Sequence, residues 1–281
     1  MLRPLLADDA LLADIHAAKP SRAAFQLWWL GQSGFLVHWQ DRHLLLDPYL
    51  SDSLTRKYAA TDKPHVRMTE RAIDPARLTM IDVATSSHNH TDHLDAETLL
   101  PLLEANPQLE LLVPAANRAF AAERLGCPEE RRTPINDGES TTLAGFTFHA
   151  VPAAHEEVER DTAGRCRYLG YVVTFGDFAI YHSGDTMLYE GQVERLRQWK
   201  IDVALLPING RAPERRVAGN LWGREAAGLA HAIGAAIAIP CHYDMFEFNT
   251  ATPEEFIAEA SRLGQPVRVL ECGERFQWPE R

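Results

Sequence analysis

Residues 86–95 read Ser-Ser-His-Asn-His-Thr-Asp-His-Leu-Asp, so His88, His90, Asp92 and His93 place three imidazoles and a carboxylate within six positions. Neutral imidazole and carboxylate oxygen together suit Zn²⁺, Mn²⁺ or Fe²⁺. A tight turn lets His88 and His90 bind one ion from the same side while Asp92 and His93 face another. Two ions ~3.5–4 Å apart share a hydroxide, because coordination lowers the pKa of bound water toward ~7, and its attack on a carbonyl or phosphoryl centre is a hydrolysis. A polar loop of solvated histidines is the plain alternative, and it leaves the spacing to coincidence. The chain holds 12 histidines against 4 cysteines, which favours a His/carboxylate site over a thiolate one.

The elements around this cluster must hold it still. Residues 79–86 read as a strand leading into it, and 96–104 as a helix leaving it, with Asp95 at the cap position. Upstream, 26–30, 34–39 and 43–47 read as strands, the last two forming a hairpin that turns at Gln40-Asp41-Arg42. Before them, Leu5, Leu6, Leu11, Leu12 and Ile15 predict a short amphipathic helix within 5–18. Periodicity vanishes over 51–75, a long loop of the kind that is functional or mobile, and 109–113 is a further strand. A second half repeats the first. Gly34-Phe-Leu-Val-x-Trp-x-Asp41 is echoed by Gly170-Tyr-Val-Val-x-Phe-x-Asp177, and Ile81-Asp-Val-Ala84 by Ile201-Asp-Val-Ala204. Two such halves pack sheet on sheet with helices outside, an α/β four-layer αββα sandwich whose matching strand-end loops share one edge. No linker separates them, so 1–281 reads as a single domain with residues 1–24 as a helical extension.

Composition narrows the function classes. A formal charge of −11 excludes a protein that coats nucleic acid, whose affinity would rest on Lys and Arg neutralising phosphates. Hydrophobic content of 46% with 24% charged residues is that of a globular chain rather than a disordered or fibrous one. No stretch reaches the roughly 18 to 20 apolar residues of a membrane span. Asp8, Asp9 and Asp14 interrupt any apolar leader, so a cytoplasmic protein is expected. Cys127, Cys166, Cys241 and Cys272 show no CxxC spacing and read as isolated buried thiols.

The run His88-Asn-His90-Thr-Asp92-His93 resembles the His-x-His-x-Asp-His signature of the metallo-β-lactamase-fold hydrolase superfamily. That family places a further His, Asp and His at later strand ends. The resemblance assigns these to His155 in Val151-Pro-Ala-Ala-His155, Asp185 in His182-Ser-Gly-Asp185-Thr186, and His242 in Ile239-Pro-Cys-His242-Tyr-Asp244. It covers residues 25 to about 250 and implies that one metal takes His88, His90 and His155, the other Asp92, His93 and His242, with Asp185 bridging. It also implies that Asp92 orients the hydroxide, that Asp92 or a metal-bound water protonates the leaving group, and that Asp47 supports the site by hydrogen bonding. Taken singly, each residue has a plainer reading. His155 stands before Glu156, Glu157 and Glu159 as a surface-loop histidine would, Asp185 can accept turn N–H groups, and His242 can belong to the core. His149, His182 and His231 read as structural, and no motif claims His38 or His43.

Within the superfamily the commonest β-lactamases carry Arg where this chain has His93, and flavodiiron reductases a carboxylate where it has His90. The chain looks most like the L-ascorbate-6-phosphate lactonase branch, through Trp28-Trp29-Leu30-Gly31, Tyr181-His182-Ser183-Gly184-Asp185, Ile201-Asp-Val-Ala204 and Ile239-Pro-Cys-His242-Tyr-Asp244. That branch hydrolyses a phosphorylated sugar-acid lactone and is linked to Mn²⁺, while a neighbouring branch cleaves phosphodiesters. The resemblance therefore implies two divalent ions (Zn²⁺ or Mn²⁺, with Fe²⁺ compatible) and a small anionic metabolite as substrate. No nucleic-acid or membrane partner is expected, and the chain is compatible with a homo-oligomer. Local charge agrees. Residues 211–224 hold Arg211, Arg215, Arg216 and Arg224 against Glu214, and residues 56–71 hold Arg56, Lys57, Lys63, Arg67 and Arg71 against Asp62 and Glu70, a net of +3 in each. Arg211, Arg215 and Arg216 are the expected fork on a phosphate, Asn209 and Asn220 the expected partners of substrate hydroxyls, and Trp222 and Tyr189 candidate pocket walls. The alternative is that these are solvated loop charges.

Overall fold

The computed structural model describes residues 1–19, 21–126 and 132–279. Short runs of Trp, Phe, Leu and Val form β1 (Phe25–Trp29), β2 (Phe35–Trp39) and β3 (Arg42–Leu46), an antiparallel meander. β2 and β3 register from Phe35 opposite Leu46 to Trp39 opposite Arg42. Their turn opens with Gln40 at a φ of 54°, a left-handed geometry that matches the strand twist. β4 (Val83–Thr85), β5 (Glu110–Pro114) and β6 (Arg132–Ile135) then add in parallel, and β13 (Arg275–Trp278) pairs with β1 at the far edge. This first sheet runs β13-β1-β2-β3-β4-β5-β6.

The second sheet contains β7 (Ser140–Leu143), β8 (Phe146–Pro152), β9 (Leu169–Phe175), β10 (Phe178–His182), β11 (Val203–Pro207) and β12 (Ile237–Cys241), in the order β12-β11-β10-β9-β8-β7. The repeated sequence segments fall on equivalent places. Each sheet has a hairpin, β2–β3 or β9–β10, followed by two parallel strands, β4–β5 or β11–β12. The Asp of each Ile-Asp-Val-Ala segment even makes the same bonds. Asp82 donates its N–H to the His43 carbonyl and accepts the His43 N–H on Oδ2, and Asp202 does both with Ala179.

The sheets meet over one apolar core. Phe25 packs edge-on against Phe175 and Phe178, each with 5.2 Å between ring centroids, and Trp39 meets Phe146 and Phe175. Truncating a buried ring such as Phe25 to Ala costs about 3–5 kcal/mol. Helices flank the sandwich: α3 (Ala96–Ala105) and α4 (Arg118–Leu125) on the first sheet, with α5 (Gln192–Leu196), α6 (Gly223–Ile233) and α7 (Glu254–Leu263) on the second. Gly223 lets α6 approach α7 closely, since a Cβ there would lie 2.7 Å from the Phe256 nitrogen.

Several boundaries differ from the sequence-based expectation. The N-terminal helix, α1, is confined to Asp8–Ala17, and it buries Leu11 and Ile15. The 51–75 loop contains a short helix, α2 (Ser53–Tyr58), that periodicity could not show in so few residues. The strand expected over 79–86 shrinks to Val83–Thr85, because the Asp82 carboxylate takes the His43 N–H. Asp95 occupies the cap position of α3 but bonds the Thr98 hydroxyl at 2.6 Å instead of a backbone N–H. Cys166, Cys241 and Cys272 are buried free thiols, and Cys127 lies outside the described residues. Among the described residues no helix is long and apolar enough to cross a membrane.

Candidate metal centre

Because β3 and β4 run parallel in one sheet and β10, β11 and β12 run parallel in the other, their carboxyl ends open on a common edge. Asp47 follows β3, residues 86–93 follow β4, His155 lies beyond β8, Asp185 beyond β10, and His242 directly after β12. Their donor atoms converge. Those of His88, His90 and His155 lie within 4.8 Å of one another, as do those of Asp92, His93 and His242, and those of His88, His93 and Asp185. Asp185 stands between the first two groups, with Oδ1 3.2 Å from His93 Nε2, and Oδ2 3.2 Å from His242 Nε2 and 3.6 Å from His155 Nε2. His88 Nε2 is buried with no hydrogen-bond partner, and His93 Nε2 and Asp185 Oδ1, buried 3.2 Å apart, have no partner beyond each other. An unpartnered buried polar atom is costly, and imidazole nitrogens and a carboxylate oxygen gathered at one place form a donor set that fits divalent cations.

Other groups fix these side chains. Asp47 is fully buried, accepts the Ser87 N–H and the Thr85 hydroxyl, and lies 2.7 Å from His93 Nδ1. The Gly219 carbonyl is 2.8 Å from His155 Nδ1, and Ser87 Oγ is 3.0 Å from His88 Nδ1. In each case the bond at Nδ1 leaves Nε2 to face the centre. Arg124 of α4 donates to the carbonyls of Asn89 and Leu94 and so pins both ends of the ligand loop.

Gln32 carried no signal in the sequence beyond its place in a polar turn flanked by Gly31 and Gly34. Its Nε2 donates to Asp92 Oδ2 at 2.7 Å and lies 3.1 Å from His242 Nε2, while its carbonyl accepts the His242 N–H. Gln32, Asp47 and His242 all have left-handed backbones, with φ of 50°, 36° and 60°. Such conformations cost of order 1–3 kcal/mol each and cluster where surrounding structure forces a side chain into position.

Charge is balanced inside the centre. Burial pushes the His88 imidazole well below its usual range and His90 down to about 4, with neighbouring imidazoles adding to the effect, so both are neutral at pH 7. Burial also lowers His155, against the pull of Asp185. At His93 and His242 burial is outweighed: the Asp185 and Asp92 carboxylates hold His93 well above its usual range and His242 up to about 9. Burial likewise opposes ionisation of Asp92 and Asp185, and the His93 and His242 charges overcome it. Cations that bind here exchange for those imidazolium protons.

A cavity of about 510 Å³ opens over the centre, lined by His90, Asp92, His155, Asp185 and His242 among others. Of the residues expected on substrate, Arg216 and Asn220 line it. Arg211, Arg215 and Asn209 do not. Arg211 is held bidentate by Glu225 at 2.6 and 2.8 Å, at the first turn of α6. Arg215 donates to the carbonyls of Asn209 and Thr250, and Asn209 is buried against Asn249. Trp222 packs over Gly210, and the Tyr189 hydroxyl bonds the Pro152 carbonyl, so neither forms a cavity wall. From the 56–71 loop Lys57 faces the cavity, whereas Arg56 pairs with Glu97 and Arg67 with Asp52.

Residues 42–243 match the family described as the Beta-lactamase superfamily domain. The chain is 30% identical over 259 residues to a UPF0173 metal-dependent hydrolase of Methanopyrus kandleri, covering 90% of this chain and 99% of that one. It is 28% identical over 251 residues to another from Pyrobaculum aerophilum, covering 89% and 98%. Among solved structures, the metallo hydrolase Igni18 from Ignicoccus hospitalis superposes with a TM-score of 0.67 at 21% identity, over 92% of this chain and 100% of that one. An isothiocyanate hydrolase from Delia radicum gut bacteria superposes with a TM-score of 0.70 at 17% identity, over 89% and 98%. These two structures share the fold.

Proposed function

The chain belongs to the beta-lactamase superfamily domain family and is a metal-dependent hydrolase; we propose that it opens a small carboxylic ester or lactone bearing an anionic group, the class that includes phosphorylated sugar-acid lactones. The observation that carries this reading is the convergence of the buried His88, His93 and Asp185 donor atoms beside a cavity that His90, Asp92, His155, Asp185 and His242 line. We assign one ion to His88, His90 and His155, a second to Asp92, His93 and His242, and Asp185 to both; Zn²⁺, Mn²⁺ and Fe²⁺ all suit this donor set. When bound, such ions lower the pKa of coordinated water toward ~7 and polarise the carbonyl.

The chain's own residues do the rest. Asp92 is the more open of the two central carboxylates, its side chain 16% exposed against 4% for Asp185. Asp92, ionised beside His93 and His242, is therefore the group placed to take a proton from the attacking water and pass it to the leaving oxygen. Gln32 holds the Asp92 Oδ2 atom, which leaves the carboxylate one working orientation. Lys57 and Arg216 supply the cationic rim for the anionic group, Arg216 exchanging its exposed partner Asp62 for the substrate. Asn220 offers a buried, unpartnered Oδ1 to a substrate hydroxyl.

The test is a substrate panel with Mn²⁺- and Zn²⁺-loaded protein: a lactone phosphate, simple carboxylic esters and bis-p-nitrophenyl phosphate. Preferred turnover of the lactone or esters supports the reading, preferred turnover of the diester replaces it with a phosphodiesterase, and no turnover of any leaves a non-catalytic metal-binding protein. Asp185→Asn should lose both metal and hydrolysis while staying folded, and an unchanged metal content would remove Asp185 from both ions.

A further inference from the structure

We propose, resting on that reading, that the cavity holds an aromatic subsite beside the metal centre which takes a planar, unsaturated ring of the substrate, so that the preferred ester or lactone is aryl-bearing. The observation is a second hydrophobic cluster, separate from the sandwich core, in which Tyr49, Leu54, Met245 and Phe246 pack together with Tyr58 and Phe248 laid against them. It is built from residues 49–58, which include α2, and residues 245–248, distant in sequence, and its inner members are buried. Its outer members are not. Tyr58, His65 and Phe248 stay partly exposed, and with Phe246 they line the same cavity as the ligands His90, Asp92, Asp185 and His242.

The rings form a continuous wall. His65 stacks on Tyr58 with 4.1 Å between centroids and 15° between planes, and meets Phe248 edge-on at 4.4 Å and Phe246 at 5.2 Å. Packing that only anchored the 49–65 loop would bury these faces. Here part of the aromatic surface stays exposed on the wall of the cavity that holds the candidate metal ligands, and an apolar ring laid on it gains area burial plus ~0.5–1.5 kcal/mol from ring geometry. Cations lie over two of the rings: Lys57 Nζ is 5.1 Å from the Tyr58 centroid, and Lys63 Nζ 5.4 Å from that of Phe248. A ring that carries an anionic substituent thus meets an aromatic wall with positive charge beside it.

The test separates binding from turnover. Affinities of the Mn²⁺-loaded protein for phenylacetate and acetate are measured by calorimetry, and hydrolysis of dihydrocoumarin is compared with that of δ-valerolactone. Phenylacetate is expected to bind at least about ten-fold more tightly than acetate. Phe248→Ala should bring that ratio close to one, with Phe248→Leu, which keeps the volume and loses the planar face, in between. Equal affinities, or a ratio unmoved in Phe248→Ala, Phe248→Leu and Tyr58→Ala proteins of unaltered melting temperature, overturn the subsite. A ring preference in binding with neither lactone hydrolysed supports the subsite and sinks the proposed ester or lactone substrate. Equal kcat/KM for the two lactones with no ring preference in binding sinks the subsite and leaves the hydrolase.

Discussion

Asp47 Oδ2 lies 2.7 Å from His93 Nδ1, with both side chains fully buried, and the carboxylate gathers the Ser87 N–H and Thr85 hydroxyl as well. One residue thus sets the orientation of a metal-ligand imidazole and the entry of the chain into the ligand loop. Groups that orient metal-bound histidines are worth ~10–100-fold in affinity. Asp47→Asn is expected to weaken metal binding by that amount, read by competition with a chromophoric chelator. An unaltered affinity would show that the His93 ring is held by packing alone.

Gln32 gives Asp92 a buried amide donor, and a hydrogen bond to a charged group is worth ~1.5–3 kcal/mol. Gln32→Leu keeps the size of the side chain and removes the donor. The expected result is a fall in kcat of about ten-fold or more with little movement of KM or melting temperature. If kcat is untouched, Gln32 is only a turn residue.

Gly184, next to Asp185, has a φ of 60°, and a Cβ on it would lie 2.6 Å from the Leu169 carbonyl and 2.7 Å from Ser87 Cβ. Gly184→Ala must push Ser87 away from Asp47 and His88. A stability loss of roughly 2 kcal/mol or more is expected in urea titrations, from overpacking and left-handed strain together. A variant as stable as the parent would mean that the Ser87 segment yields freely.

The two loop arginines should separate cleanly. Arg211 is engaged by Glu225 and the Asn220 carbonyl, so Arg211→Ala should cost stability, about 1 kcal/mol or more. Arg216 faces the cavity with only an exposed ion pair to Asp62, so Arg216→Ala should raise KM for anionic substrates and leave the melting temperature near that of the parent. The reverse pattern would return Arg211 to the substrate.

His38 and His43 stack across the β2–β3 hairpin with 4.0 Å between centroids. Burial pushes both below the ordinary value of 6.5, and His43 falls to about 4, with the His38 charge adding and Asp82 opposing. A folded-state pKa below the unfolded one gives a contribution that is whole above pH 6.5 and is lost as pH falls from 6.5 toward 4. His43→Phe keeps the stack without the titration. The drop in urea midpoint between about pH 7.5 and about pH 4.5 should therefore shrink in the variant, and an equal drop would clear this pair of the acid sensitivity.

The parts of the fold that sequence displays are those written in repeated local pattern. The hairpins at Gly34–Asp41 and Gly170–Asp177 and the two Ile-Asp-Val-Ala strands read directly, because short apolar runs and turn residues recur within a few positions. The ligand set of His88 through His242 is spelled out by residue types that have little other reason to fall together at strand ends. Partnership is harder to read. Arg211 looked available because its charge is visible in sequence, while its claim on Glu225 depends on how a loop folds back onto α6. Gln32 stayed hidden for the same reason, being an ordinary amide until the fold brings it 2.7 Å from Asp92, 60 positions away. The aromatic wall likewise joins Tyr58 and His65 to Phe246 and Phe248 through tertiary packing alone.

The ligands are divided between the two sheets. His88, His90, Asp92 and His93 hang from the first, His155, Asp185 and His242 from the second. Ions held as proposed between them would be covalent staples in all but bond type, joining points roughly 65 and 150 residues apart and removing loop entropy from the unfolded chain. Elsewhere a disulfide does this work, and here Cys166, Cys241 and Cys272 are all free. The hydrolytic centre is then also a fastener, and chelation should be felt twice, once as silence in the assay and once as two sheets freer to part.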